Sequence, residues 1–135
     1  MYKNILVPIS FDEGRDPDQA IEIAKFLAEE GTKITLLHVM EKVPGYAQTY
    51  MPEGYIENSL AACKSEMATM AETIKGGQSA VVTGHSGTTI LDFAQEAESD
   101  LIIIASHQPK MADYFLGSTA HHVVRHARCS VHVMR

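Results

Sequence analysis

The stretch Leu101–Thr119 reads LIIIASHQPKMADYFLGST. It opens on the continuous apolar run Leu101-Ile102-Ile103-Ile104. A run of this length between small and polar residues predicts a strand buried on both faces, as in a parallel sheet. Ala105-Ser106-His107 leaves the strand, and Gln108-Pro109 turns the chain. A short amphipathic segment follows, with Met111, Tyr114, Phe115 and Leu116 as its apolar side. It ends at Gly117-Ser118-Thr119, where a further helix can begin. Backbone N–H groups at a helix start have no intrahelical acceptor, and the helix dipole is positive there. Gly117-Ser118-Thr119 is therefore suited to an anion such as phosphate, although Ser and Thr at a helix start also serve as plain caps.

Outward from this stretch, strands alternate with helices. Lys3–Ile9 is a compact apolar run and a first strand, with Pro8 near its exit. Asp16-Pro17 reads as an N-cap with proline at the first helical position. Ala20, Ile21, Ala24, Leu27 and Ala28 follow at helical spacing, and Gly31 is placed to end that helix. Lys33–Val39 is a second strand. Glu41–Gly54 is the longest irregular piece and carries Tyr46 and Tyr50; a loop of this length suits a lid or an interface arm. Tyr55–Lys75 is a long helix stopped by Gly76-Gly77, and Ser79–Thr83 is a third strand. Gly84–Gly87 leads into a helix carrying Ile90, Leu91, Phe93, Ala94 and Ala97. After the Leu101 strand comes a helix over Ser118–Ala127, with Ala120, Val123, Val124 and Ala127 facing in, and a final strand Ser130–Met134. This order predicts an α/β fold with right-handed parallel crossovers and helices on both faces of the sheet. Ligands of such sheets bind beyond the strand C-termini, where the strand order reverses.

The 135 residues predict a single domain, 1–135. Apolar residues make up 45% of the chain, enough for one core, and they are too dispersed for a membrane span. A net charge of −6 argues against nucleic acid, whose phosphates need a cationic face. No secretory leader is read before Ile5-Leu6-Val7. Cys63 and Cys129 match no metal spacing and read as two free buried thiols, which fits a cytoplasmic protein. His122 and His126 are four apart on one helix face, but no carboxylate or cysteine joins them locally, so no metal site is expected. Gly84-His85-Ser86-Gly87-Thr88-Thr89 looks like a second phosphate loop without the P-loop lysine, and a turn with a helix cap is the better reading. Met67 and Met70 read as core filler.

Several segments together resemble the universal stress protein family along essentially the whole chain. They are Asn4-Ile5-Leu6-Val7-Pro8, Leu36-Leu37-His38-Val39, Ser99 to His107, Leu116 to Ala120, and Val124 to Val131. The Ala-Ser-His-Gln-Pro run and the tyrosine-bearing loop look most like the branch typified by universal stress protein F. The resemblance implies a three-layer sandwich around a five-stranded parallel sheet of order 3-2-1-4-5. It also implies an ATP site at the switch point between strands one and four. Nucleotide-binding members carry Gly, two residues, Gly, nine residues, Gly, then Ser or Thr. Here the pattern is Ala105, two residues, Gln108, eight residues, Gly117, Ser118. Binders commonly carry Asp two residues after the strand-one proline; this chain has Ser10, with Asp12 nearby, which weakens the case for Mg²⁺ beside the ATP. Carried over by position, Pro8, Ile9 and Ser10 border the nucleoside, and Val39 meets adenine through its backbone. Ile104, Ala105, His107 and Gln108 line the ribose and phosphate side, and Gly117, Ser118 and Thr119 hold the phosphates. The resemblance further implies a homodimer through Ser130–Met134, which the Glu41–Gly54 loop could extend to a tetramer.

These readings lead to a cytoplasmic ATP-binding regulator or interaction module in stress response. No nucleophile–base pair stands out, so hydrolysis is expected to be slow at most. Two alternatives remain at this level: a family member that binds no nucleotide, favoured by the lost glycines, and an enzyme on a similar α/β fold.

Overall fold

A computed structural model of the chain describes residues 1–11, 16–106 and 116–135. Five strands form one parallel sheet: β1 (Tyr2–Pro8), β2 (Ala28–Met40), β3 (Gly77–Thr83), β4 (Leu101–Ala105) and β5 (Ser130–Met134). Their order is β3-β2-β1-β4-β5, as the family resemblance implied. The helices are α1 (Pro17–Leu27), α2 (Gly45–Gln48), α3 (Tyr55–Glu72), α4 (Ser86–Glu96) and α5 (Ser118–His126).

The apolar run of β4 is buried on both sides, and its alternation divides the core in two. Leu101 and Ile103 join Ile5, Val7 and Ile9 of the β1 segment, Ile34 and Leu36 of β2, and the inner faces of α1 and α3. Ile102 and Ile104 join Leu6, Leu37, and the inner faces of α4 and α5. The period of two sends successive side chains to opposite faces. Because a helix layer covers each face, both positions of the alternation must be apolar, which produces a continuous run.

β1 and β4 are paired at Ile5 against Leu101 and Leu6 against Ile102. Asp100 fixes that register. Its carboxylate accepts from the backbone N–H of Lys3 at 2.7 Å and of Asn4 at 3.1 Å. Its own N–H donates to the Asn4 carbonyl at 2.9 Å.

Some element ends differ from the sequence expectation. α1 stops at Leu27, before Gly31, and Ala28 is already extended. Thr32 competes with further helical turns: its hydroxyl donates to the Tyr2 carbonyl at 2.7 Å and accepts from Glu29 N–H at 3.0 Å. Gly31, at φ 85°, serves the irregular start of β2, where the β1–β2 register shifts between Tyr2 and Asn4. α3 also ends early, at Glu72. Gly76 turns the chain at φ 75°, and Gly77 is already in β3, packed so tightly on Ala71 and Ile74 that a Cβ would collide with them. The Glu41–Gly54 loop contains the single turn α2, and Tyr46, Tyr50 and Tyr55 are exposed. Val124 is 43% exposed and does not join the core. The cysteines are free and half-buried, short of the full burial expected. Burial and the nearby Asp100 carboxylate push the Cys129 thiol up. The segment around Met111, Tyr114 and Phe115 lies outside the described residues.

Asp100→Ala removes two charge-assisted bonds at the β1–β4 junction. The expected loss is about 1–3 kcal/mol of folding stability, read as a lower urea midpoint at unchanged slope. A midpoint equal to that of the parent would show that strand pairing holds this junction without the carboxylate.

Candidate functional site

Beyond Leu6 and Ile102 the β1–β4 ladder records no further pairs, and a cleft of about 420 Å³ lies over the strand C-termini. The crossover through α1 runs from β1 toward one sheet edge, and that through α5 runs from β4 toward the other, so neither covers the gap. Pro8, Ile9, Ser10, Val39, Ile104, Ala105, Gly117, Ser118 and Thr119 all line this cleft. They come from four separate parts of the chain, and the topology alone brings them together. His107 and Gln108, together with Asp12, lie outside the described residues.

Among the described residues three helices begin at the cleft, and their first turns are treated differently. Asp16 is the N-cap of α1, and its carboxylate accepts from Asp18 N–H at 2.9 Å. The N-cap of α4, His85, makes no side-chain cap bond. Glu41, from the exit of β2, supplies it from across the chain. Its Oε1 accepts from Ser86 N–H at 3.2 Å and from the Ser86 hydroxyl at 2.9 Å. These bonds hold the Glu41 carboxyl below its ordinary value. α5 starts from Gly117, which has no side chain, and among the described residues no side chain caps it. Gly117 takes the N-cap position, and Ser118 and Thr119 stand inside the helix, in its first turn.

The seat of α5 depends on Ser106, which is only 2% exposed and lines the cleft. Its N–H donates to the Met134 carbonyl at 2.8 Å, and its carbonyl accepts from Gly117 N–H. One residue thus ties the end of β4 to β5 on one side and to the start of α5 on the other. Glu41, Ser86 and Asp16 line the cleft without having been singled out in the sequence as its ligand-facing residues, whereas Ser106 lies between Ala105 and His107, within the stretch expected at its mouth. Glu41 and Ser86 are 45 residues apart, and only the pairing of β2 with β3 makes them neighbours.

His38 also borders the cleft, with Nδ1 2.8 Å from the Ile9 carbonyl. A carbonyl only accepts, so Nδ1 carries the hydrogen. Phe11 meets the His38 ring edge-on at a centroid distance of 4.7 Å.

The Gly84–Thr89 loop is a turn and helix start whose positive end holds the protein's own Glu41. Its glycines answer to packing. A Cβ on Gly84 would strike Thr89 Oγ1, and one on Gly87 would come within 2.8 Å of the His122 ring. His122 in turn lies against His126 at 4.6 Å between ring centroids. Among the described residues no three His, Cys, Asp or Glu side chains form a metal cluster, and no helix is long and apolar enough to cross a membrane.

The profile of the universal stress protein family matches residues 1–135. Universal stress protein G of Salmonella typhimurium is 30% identical over 145 residues, covering all of both chains. The structure of universal stress protein UspA from Lactobacillus plantarum is 26% identical, covers 99% of this chain and 98% of its own, and superposes at a TM-score of 0.78. An AMP-bound member of the family from Arabidopsis thaliana is 17% identical over 98% of this chain and 90% of its own, and at a TM-score of 0.64 it shares the fold. The relatives at 30% identity are named universal stress protein G, so the narrower likeness to the F branch gives way to the family as a whole. With its full length matched and its strand order and switch-point cleft in place, this chain belongs to the universal stress protein family.

Proposed function

We propose that the cleft binds ATP, with the phosphates at Gly117–Thr119 and the adenine toward Val39, and that the protein works in the cytoplasm as a nucleotide-dependent regulator or interaction module in stress response. The observation that carries this reading is the contrast among the three helix starts. Those of α1 and α4 already hold the carboxylates of Asp16 and Glu41, whereas that of α5 holds none among the described residues. An anionic ligand in this cleft is repelled from two positive ends and accepted at the third. The volume of about 420 Å³ falls within the range of small-molecule sites. The AMP-bound relative supports the choice of an adenine nucleotide. The sequence offers no nucleophile–base pair, and Asp16 and Glu41, the cleft carboxylates among the described residues, are engaged at helix starts. Binding, with slow hydrolysis at most, is the chemistry they support. Mg²⁺ could accompany the phosphates, but Ser10 offers it no carboxylate at the strand-one position.

Calorimetric titration with ATP, ADP and AMP tests the reading. Micromolar binding is expected, corresponding to about −8 kcal/mol. No heat at millimolar nucleotide would replace it with the second reading, an interaction module without nucleotide, which Gln108 and the shortened loop favour. Gly117→Val sharpens the test. Gly117 has φ −58° and ψ 156°, a conformation open to any residue, so the variant should fold normally. Its branched side chain at the mouth of the α5 N–H groups should cut ATP affinity at least about tenfold, roughly the loss of one charge-assisted hydrogen bond. Equal affinity in parent and variant would place the phosphates elsewhere.

A homodimer through β5 is the expected assembly. β5 is an edge strand, half-buried at Val131, Val133 and Met134, with neither proline nor lysine to blunt it. Two copies can pair antiparallel about a two-fold axis. Light scattering should give twice the chain mass, and Val131→Pro should shift it toward monomer. A monomer mass for the parent would refute the dimer, and an unchanged dimer in the folded variant would move the interface off β5.

A further inference from the structure

We infer that Glu41 is a specificity-determining residue of the cleft, selecting a nucleobase that presents an exocyclic amine and rejecting one that presents a carbonyl at the same position. This inference rests on the nucleotide reading of the cleft. With the phosphates at the start of α5, beyond β4, the base extends across β1 toward the exit of β2. There the lining residues are Val39, Met40, Glu41 and Ser86. Glu41 is tied down by its two bonds from Ser86, both to Oε1. Among the described residues Oε2 has no hydrogen-bond partner. The donors from Ser86 also favour the ionised form, and a carboxylate can only accept.

The wall at this end is therefore a positioned acceptor. The N6 amine of adenine can donate to it directly or through one water. Hypoxanthine has the same purine frame with O6 in place of the amine and N1–H in place of the N1 lone pair, and at the amine position it would set oxygen lone pairs against a fixed negative charge. A site built around one hydrogen-bonding sense rejects the opposite sense far better than it senses small differences in size. The same charge acts on ligand polarity, because it occupies the one helix start at this end that could otherwise attract a phosphate.

ATP and inosine triphosphate differ only along the C6–N1 edge, where the amine becomes O6 and N1 gains a hydrogen, and make the test. Parent protein should bind ATP at least about tenfold more tightly than inosine triphosphate, the scale expected of one hydrogen bond to a charged group. Glu41→Gln keeps an amide oxygen for Ser86 and can turn N–H donors toward O6, so the preference should shrink to near parity or reverse. Ser86→Ala keeps the carboxylate and should keep most of the preference. Asp16→Asn alters the acidic residue that caps α1 and should leave the preference unchanged. Equal affinity for the two nucleotides in the parent, or the parental ratio in a folded Glu41→Gln variant, would overturn the inference while leaving ATP binding intact. A ratio that moves with Asp16→Asn and not with Glu41→Gln would overturn it in favour of the other carboxylate. Absence of binding by either nucleotide would remove the nucleotide reading and this inference with it.

Discussion

Everything in this molecule depends on an interior strand that must be apolar on both faces. β4 inserts Leu101 and Ile103 into one half of the core and Ile102 and Ile104 into the other. Each fully buried side chain of this kind contributes about 1.5–3 kcal/mol, so four in sequence leave the strand no stable alternative to the middle of the sheet. β1 meets the same demand with Ile5, Leu6 and Val7. Once these two strands lie side by side, their crossovers depart in opposite directions, and the opening above them follows from chain connectivity.

The cleft is polarised by what the chain does with its helix starts. A helix N-terminus attracts negative charge, and three of them opening onto one cavity would offer three competing anion sites. Asp16 and Glu41 occupy two, and the third begins at a glycine. Ser106 holds that third helix against the ends of β4 and β5 through its backbone N–H and carbonyl. The same arrangement separates the cleft into an end that favours anions and an end that favours hydrogen-bond donors. Function and packing share residues here: Gly87, which belongs to the α4 start, is glycine because the His122 ring of α5 lies against it.

Much of the cleft lining is legible in the amino-acid sequence. Family resemblance groups Pro8, Ile9, Ser10, Val39, Ile104, Ala105, His107, Gln108, Gly117, Ser118 and Thr119; all but His107 and Gln108, which lie outside the described residues, share one cavity. Local pattern is a poorer guide where two partners compete for the same backbone. Gly31 has the spacing of a helix stop, yet Thr32 offers the backbone a partner on β1 and ends the helix sooner. Ser118 and Thr119 have the chemistry of caps, yet Gly117 takes the cap position and Ser118 and Thr119 fall in the first turn of the helix.

The alternation of strands and helices, the double burial of β4 and the glycine-led start of α5 are all encoded in residues adjacent along the chain. There periodicity and steric preference act directly. Other features came into being only with the assembled fold. Glu41 caps a helix that begins 45 residues later, Ser106 joins β5 to α5, and of three helix starts only one lacks a carboxylate among the described residues. A hydrogen bond depends on distance and direction in space, and no local pattern specifies those for groups that meet only when β2 pairs with β3 or β4 with β5.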